Sequence, residues 1–205
     1  MDLSLYVTAF VTLFVVVDPI GLAPMFIALT RDMDAAHRRR VGLRAVGVAA
    51  GLLTIFGLGG EQILRAIGIS LPAFTIAGGI LLFLTALDML FERRTERREG
   101  QQAPSGHDDP SVFPMAMPLL AGPGSLATMI LLVGQDSGAA HIAAILVVML
   151  LVLAIALVLF QASEILARAL GRTGILVVTR LLGMLLAALS VQFVIDGLKG
   201  AGLFA

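Results

Sequence analysis

The sequence predicts an all-α, polytopic membrane protein. Of its 205 residues 59% are hydrophobic, and the mean hydropathy is +1.00. Charged residues make up 14%, against about 25% in an average soluble domain. The apolar residues form continuous stretches of the roughly 20 residues that a membrane-spanning helix needs. Because these stretches do not alternate as barrel strands do, helices are the structure that satisfies the backbone in lipid.

Six apolar stretches are readable, and each predicts one transmembrane helix. They are Leu5–Leu29, Val41–Gly60, Ile69–Phe91, Val112–Gly134, Ile142–Leu166 and Ile175–Leu198. A polar segment rich in arginine, proline and glycine separates the third stretch from the fourth, as is typical of a linker. We therefore divide the chain into a first three-helix repeat (residues 1–91), a cytoplasmic linker (residues 92–111) and a second three-helix repeat (residues 112–205).

The positions of the basic residues predict the orientation in the membrane. Of the 14 lysines and arginines, twelve fall in or beside the loops on one side. These are Arg31, Arg38, Arg39, Arg40, Arg44, Arg93, Arg94, Arg97, Arg98, Arg168, Arg172 and Arg180. The opposite side has Arg65 and Lys199. By the positive-inside rule, both termini are predicted outside the cytoplasm. The first four residues lack the basic segment of a signal peptide, so we expect helix 1 to be retained.

The two halves of the chain resemble each other. Asp18-Pro19-Ile20-Gly21-Leu22-Ala23-Pro24-Met25 aligns with Gly122-Pro123-Gly124-Ser125-Leu126-Ala127-Thr128-Met129, and Gly79-Ile80-Leu81-Leu82 aligns with Gly183-Met184-Leu185-Leu186. In the same register, Asp88 falls on Gln192. Since each half has an odd number of spans, the second half must be inverted in the membrane. Paired interruptions in inverted repeats are the sequence pattern of a secondary transporter with its site at the midplane.

The interruptions predict the substrate site. Proline cannot continue a helix, but it is well placed at the first position of a new one, after an N-cap such as aspartate. Asp18-Pro19 and Gly122-Pro123 are therefore predicted to begin half-helices inside the membrane, with helices 1 and 4 interrupted there. Their N-termini would bind a substrate carboxylate, and Asp18 with nearby carbonyls would bind an ammonium group or a coupling ion. The alternative is that both prolines merely kink packed helices.

Several further residues are assigned by their positions. The predicted substrate- and ion-binding residues are Asp18, Pro19, Gly21, Asp88, Gly122, Pro123, Gly124, Ser125, Thr128 and Gln192. Asp18 could also serve purely as a cap, and Asp88 could lie in the membrane interface. Glu61, Glu164 and Asp196, at helix ends, are predicted to be solvated, and Arg180 to reach the headgroups. Gly47 and Gly51 have the small-xxx-small spacing typical of close helix packing.

Composition and motifs exclude several function classes. The formal net charge is +0, so no nucleic-acid partner is indicated. Without cysteine there is no thiolate chemistry. The three histidines are far apart, and neither a zinc motif, a Gly-x-Ser-x-Gly motif nor a phosphate-binding loop occurs. We therefore predict that the protein is not an enzyme, that it has no metal or cofactor beyond a coupling Na⁺ or H⁺, and that its partners are a small-molecule substrate and the lipid bilayer. Whether it forms a homo-oligomer stays open.

Four elements resemble the MarC family of bacterial and archaeal inner-membrane proteins. They are Asp18-Pro19-Ile20-Gly21…Pro24, Ile76-Ala77-Gly78-Gly79, Pro118…Ala121-Gly122-Pro123-Gly124 and Arg180-Leu181-Leu182-Gly183…Val191-Gln192-Phe193. Many members of the family have asparagine where this chain has Leu22. The resemblance implies a multi-pass inner-membrane protein that transports small neutral amino acids such as glycine and alanine, by symport with an ion. An exporter or a channel for a small metabolite would share this architecture, and a membrane protein without transport activity is a further alternative.

Overall fold

A computed structural model describes residues 3–31, 33–91 and 109–203. Over this part of the chain every regular element is helical. In chain order the helices are α1 (Leu3–Val17), α2 (Pro19–Leu29), α3 (Ala35–Ala66), α4 (Leu71–Leu90), α5 (Ser111–Leu120), α6 (Pro123–Val133), α7 (Ala139–Gln161) and α8 (Ser163–Gly200). Five helices are long and apolar enough to cross a membrane, or six when α5 and α6 count as one bent span. The predicted all-α membrane architecture is confirmed. Most of the linker lies outside the described residues.

Two helices extend beyond their apolar stretches. α3 has 32 residues and starts six residues before the stretch predicted from Val41. The carboxylate of Asp34 caps it by accepting the His37 N–H at 2.7 Å. The sixth helix also begins early, at Ser163, and a glycine with φ of 60°, Gly171, interrupts it before the candidate span Thr173–Gly200. Hydropathy locates the lipid-contacting part of a helix, and the backbone continues into its polar turns.

The fifth helix ends earlier than predicted. The apolar stretch runs to Leu166, but α7 stops at Gln161, and the next helix begins two residues later. The N–H of Ala162 closes the last turn on the Val158 carbonyl at 2.9 Å. The apolar stretch therefore covers the end of one helix and the start of another, which composition does not separate.

The short helix α6 lies at the centre of the bundle. It packs against α1, α3, α4 and α7. Its contact with α3 is close because that helix carries glycines there: a Cβ on Gly57 would lie 3.2 Å from Met129 Cε, and a Cβ on Gly60 would lie 2.4 Å from Ile130 Cγ1. Elsewhere in the core, the rings of Phe26 and Phe160 stack with centroids 4.8 Å apart. The central position of α6 places its N-terminus inside the protein.

Close packing does not involve the glycine pair that the sequence suggested. A Cβ added at Gly47 or Gly51 would meet no heavy atom within 4 Å, and both residues lie on the exposed face of α3. The opposite face, with Ala45, Ala49 and Leu53, is buried. The prediction that Gly47 and Gly51 pack closely is therefore wrong within this chain, where the alanine and leucine face of α3 packs instead.

The bundle has two distinct ends. At the first, which we call the arginine-rich end, Arg38 pairs with Glu164, and Arg44 pairs with Asp109. At the second, which we call the opposite end, lie the 67–70 and 134–138 connections and the end of α8. The ion pairs of the arginine-rich end connect α3 to the start of α8 and to the residues before α5.

Candidate functional site

The first candidate site residue, Asp18, lies at a break between two helices. It has φ of 51° and ψ of 58°, the left-handed conformation, and its side chain folds over the start of α2, where Oδ1 accepts the Gly21 N–H at 3.1 Å. Besides glycine, aspartate and asparagine are the residues that occasionally adopt this conformation. A Cβ at position 21 would lie 2.1 Å from Asp18 Oδ2, so any other residue there would displace the capping carboxylate. Asp18 is 0% exposed.

The break also changes the bonding of the backbone. In a continuous helix the N–H groups of residues 19 and 21 would donate to the carbonyls of Val15 and Val17. Pro19 has no N–H, and the N–H of Gly21 donates to the Asp18 carboxylate instead. Both carbonyls lose these donors, and both valines are buried. A carboxylate beside carbonyl oxygens that lack their usual helical donors forms an environment that can bind a cation or an ammonium group.

The second candidate site is the N-terminus of α6. It follows a 58° bend between residues 111–120 and 124–133. Gly122 is the N-cap, is buried, and provides no side chain to accept from the first-turn N–H groups. A Cβ there would lie 2.5 Å from the Pro118 carbonyl oxygen, so the turn requires glycine. The result is a buried helix N-terminus without a side-chain cap, the end of a helix that favours anions.

The two breaks are close together. A Cβ on Gly124, in the first turn of α6, would lie 3.5 Å from Cγ1 of Val16 and 2.8 Å from Cδ2 of Leu82. Val16 is two residues before Asp18 in the chain. The end of α1, just before the break at Asp18, therefore packs against the first turn of α6, and Leu82 of α4 packs against the same turn. Of the sequence-predicted residues, Asp18 and Gly124 are thus brought into the same region.

The predicted hydroxyl groups lie in the same region but donate to their own helix. The Ser125 hydroxyl donates to the carbonyls of Leu120 at 2.8 Å and Gly122 at 3.0 Å, and the Thr128 hydroxyl donates to Gly124 at 2.9 Å. Ser125 is 3% exposed and Thr128 is 0% exposed. Their oxygen lone pairs remain available as acceptors, whereas their protons already have partners.

The remaining predicted residues lie further along α4 and α8. Asp88 is half-buried in the last turn of α4, near the arginine-rich end. Gln192 is exposed on α8, and its amide donates to Asp196 Oδ1 at 2.8 Å. Arg180 is exposed on the same helix. In the described ranges, no group of three or more His, Asp or Glu side chains has the arrangement of a metal site.

Asp18 does not line either of two cavities that lie in the described part of the chain. One, of about 260 Å³, lies between α4, α6 and α8 at the opposite end, and Asp196 lines it. The other, of about 440 Å³, lies between α3 and α7 at the arginine-rich end, beside Arg39. Asp18 is 0% exposed in this conformation, so a ligand can reach its carboxylate only after the helices move.

Two polar residues at the opposite end of the bundle did not stand out in the sequence. His141, in the first turn of α7, is 5% exposed, and its Nε2 lies 2.8 Å from the Leu132 carbonyl oxygen at the end of α6. Its ring centroid is 6.0 Å from that of Tyr6. Asp196 was expected to be solvated, and it is exposed, but it also lines a cavity. A histidine at a helix edge and an acidic residue near a helix end give no signal of such surroundings.

Comparison with known proteins gives one family across almost the whole chain. The family model described as "MarC family integral membrane protein" matches residues 3–202. A UPF0056 membrane protein of Methanocaldococcus jannaschii is 37% identical over 204 residues, which cover 98% of this chain and 99% of that protein. UPF0056 membrane protein YhcE of Escherichia coli is 35% identical over 202 residues, covering 97% and 94%. YvbG of Bacillus subtilis, also a UPF0056 membrane protein, is 33% identical over 208 residues, covering 98% and 97%. No solved structure matches the chain.

Proposed function

Because the chain belongs to the MarC family of integral membrane proteins, we propose that it is a secondary transporter of small neutral amino acids such as glycine and alanine. Transport is coupled to a Na⁺ or H⁺ gradient across the bacterial inner membrane, and both termini lie outside. The observation that carries the proposal is Asp18, a carboxylate that is 0% exposed at the start of one half-helix, close to the uncapped N-terminus of a second. Carboxylates inside the membrane are costly and usually functional.

An inverted repeat is supported by reciprocal contacts between α4 and α8. The aligned residues of the two halves are 104 positions apart, as are Pro19 and Pro123. A Cβ on Gly79 would meet Ser190 and Val194, whereas a Cβ on the aligned Gly183 would meet Ala86 and Leu90. Ala86 aligns with Ser190, and Leu90 aligns with Val194, so each contact recurs with the two halves exchanged. Such exchange is what a two-fold axis in the membrane plane would produce.

The packing of whole helices has the same reciprocity. α6 packs against α3 and α4, and α2, its counterpart in the first half, packs against α7 and α8, the counterparts of those helices. Similarly, α1 packs against α7, and α5 packs against α3. We infer that α2 and α6 are the two half-helices of an inverted pair, with the breaks at Asp18 and Gly122 at the same depth.

The proposed site binds the two charged groups of an amino acid separately. The substrate carboxylate accepts from N–H groups in the first turn of α6, at Gly124 and Ser125, where Gly122 offers no competing side chain. The ammonium group, or the coupling ion, binds Asp18 and the carbonyl oxygens of Val15 and Val17. Gly21 and Gly124 keep this region narrow, which favours a substrate with a small side chain. No residue is assigned a catalytic role.

The test is uptake of radiolabelled glycine and alanine into proteoliposomes under a Na⁺ gradient, a proton gradient or no gradient. Wild type is compared with Asp18→Asn. Asparagine is as good an N-cap as aspartate and tolerates the left-handed conformation, so this variant removes the charge and keeps the backbone. Asp18→Ala removes the cap as well, at about 0.5–2 kcal/mol of stability. Asp136→Asn, in the 134–138 connection, is the matched control because Asp136 binds the Gly138 N–H there.

We expect saturable wild-type uptake that follows one gradient, no coupled uptake with Asp18→Asn, and normal uptake with Asp136→Asn. Full coupled uptake with Asp18→Asn would remove the charge from the mechanism and leave Asp18 as a cap. Flux that does not saturate and ignores both gradients would identify a channel. Efflux from loaded vesicles without uptake would identify an exporter.

A further inference from the structure

The cavity between α4, α6 and α8 is lined by a carboxylate, Asp196, and by none of the residues at the two helix breaks. It has a volume of about 260 Å³ at the opposite end of the bundle, slightly below the roughly 300–1,000 Å³ of sites for drug-sized ligands. Pro72, Leu131 and Phe193 contribute apolar walls, and Thr75 and Gln135 contribute polar groups. Asp196 is the one charged residue among those that line it.

The polar groups of the cavity are mainly acceptors. Gln192 donates to Asp196 Oδ1 at 2.8 Å and holds the carboxylate in place, leaving its second oxygen for a ligand. The Thr75 hydroxyl gives its proton to the Leu71 carbonyl at 2.8 Å, so its oxygen lone pairs face outward as acceptors. Gly134, at the C-terminus of α6, and Gly200, at that of α8, also line the cavity. Helix C-termini carry a partial negative charge, which adds to that of Asp196.

We propose that this cavity is an outer subsite for the primary ammonium group of a small amine or amino acid, with Asp196 as its anion. The assignment of the ligand as a substrate rests on the proposed transport function, whereas the preference for an ammonium group rests on the cavity itself. Gln192 is a positioning residue that orients the carboxylate. The apolar walls bind the rest of a small molecule, and the limited volume excludes bulky ones. The cavity lies at the C-terminal end of α6, whose N-terminal end is at the Gly122 break.

The absence of cysteine from the sequence makes a direct test simple. Thr75→Cys places one thiol in the cavity. Its rates of modification are measured with 2-aminoethyl methanethiosulfonate, which carries a primary ammonium group, with the anionic sulfonatoethyl reagent, and with neutral methyl methanethiosulfonate. Gln135→Cys, at an exposed position lining the same cavity, is the second reporter if Thr75→Cys does not fold.

A unit charge about 4 Å away is worth about 1 kcal/mol even in bulk water. When each rate is divided by that reagent's rate with a free thiol in solution, we therefore expect the ammonium reagent to react about fivefold or more faster than the neutral one, and the anionic reagent to react more slowly. Adding Asp196→Asn should make the ammonium and anionic reagents react at the same relative rate as the neutral one. Adding Glu61→Gln should leave the differences between the reagents, because that carboxylate, at the same end, pairs with Arg65 and does not line the cavity. Rates that Asp196→Asn does not change would overturn the proposal.

Protection separates an ammonium site from a general cation site. In the Thr75→Cys variant, methylammonium should slow modification of the introduced thiol by the neutral reagent, and Na⁺ or choline at equal concentration should not. Equal protection by Na⁺ would show an inorganic-cation site and refute the assignment to ammonium. These readouts do not require transport: if wild type takes up no amino acid but methylammonium still protects, the transport function fails and the cavity's preference stands. If uptake is normal, Asp196→Asn should raise the KM for glycine.

Discussion

Replacing Gly79 by alanine is predicted to destabilise the contact between α4 and α8. The added Cβ would lie 2.8 Å from the Ser190 carbonyl oxygen, 2.8 Å from Val194 Cγ2 and 3.1 Å from the Val194 nitrogen. Non-bonded heavy atoms are favourable at about 3.5–4.0 Å, and two of these three neighbours are backbone atoms that cannot rotate away. Overpacking of this kind costs about 1–3 kcal/mol, against a gain of about 0.5–1 kcal/mol from replacing glycine by alanine in a helix.

A matched variant isolates the steric contribution to the change in the free energy of unfolding. Gly47→Ala makes the same chemical change at a helical position where the Cβ would meet no heavy atom within 4 Å. It should stabilise by about 0.5–1 kcal/mol. The two variants should therefore differ by the overpacking alone, about 1–3 kcal/mol. Gly183→Ala should fall between them, because its Cβ would meet Met89 Cβ at 3.0 Å and the Ala86 oxygen at 3.4 Å.

The assay is equilibrium unfolding in dodecyl maltoside with increasing dodecyl sulfate, followed by far-ultraviolet circular dichroism because the chain contains no tryptophan. Equal free energies of unfolding for Gly79→Ala and Gly47→Ala would refute the close contact between α4 and α8. The reciprocal contacts that support an inverted repeat would be lost with it. A stabilising effect of Gly79→Ala would have the same meaning.

Two other predictions concern the arginine-rich end and the centre of the bundle. A hydrogen bond and the charge of Arg38 hold the pKa of Glu164 below its usual range. A carboxyl group whose pKa is lowered by folding stabilises above its unfolded pKa, and this contribution disappears as the pH falls through the lowered value. Arg38→Gln should therefore lower the unfolding midpoint at pH 7 and match wild type in acid, and a constant difference at both pH values would contradict the pairing. Gly60→Ala should be destabilising because its Cβ would lie 2.4 Å from Ile130 Cγ1. Combined with Ile130→Ala it should cost about 0.5–3 kcal/mol less than the sum of the single changes, whereas additive effects in a double-mutant cycle would show that the two residues do not touch.

Sequence alone predicted the features that depend on local chemistry. The helix breaks at Asp18-Pro19 and Gly122-Pro123 follow from the missing N–H of proline and from the residues that precede it. The five or six spans follow from the length of the apolar stretches. The helix breaks and the spans could be predicted because they depend on the backbone of each segment and on the lipid. They do not depend on which helices are neighbours in the fold.

Features that depend on neighbours could not be predicted in this way. Gly47 and Gly51 have the spacing of a packing face, yet Gly57, Gly60 and Gly79 make the close contacts. The surroundings of Asp196 depend on Pro72 and Leu131, which are distant in the chain. Similarly, α7 ends at Gln161, inside the apolar stretch Ile142–Leu166. Hydropathy did not predict this end because no run of polar residues marks it.

The choice of residue at position 18 is informative about its function. A cap in the left-handed conformation can be asparagine or aspartate with similar effect, and asparagine carries no charge. At 0% exposure, ionised aspartate must be stabilised against a desolvation cost that the amide largely avoids. A carboxylate used purely as a cap would therefore be the more costly of two equivalent solutions. Binding of a cation or an ammonium group is a function that the amide could not perform equally well, and this difference is what Asp18→Asn measures.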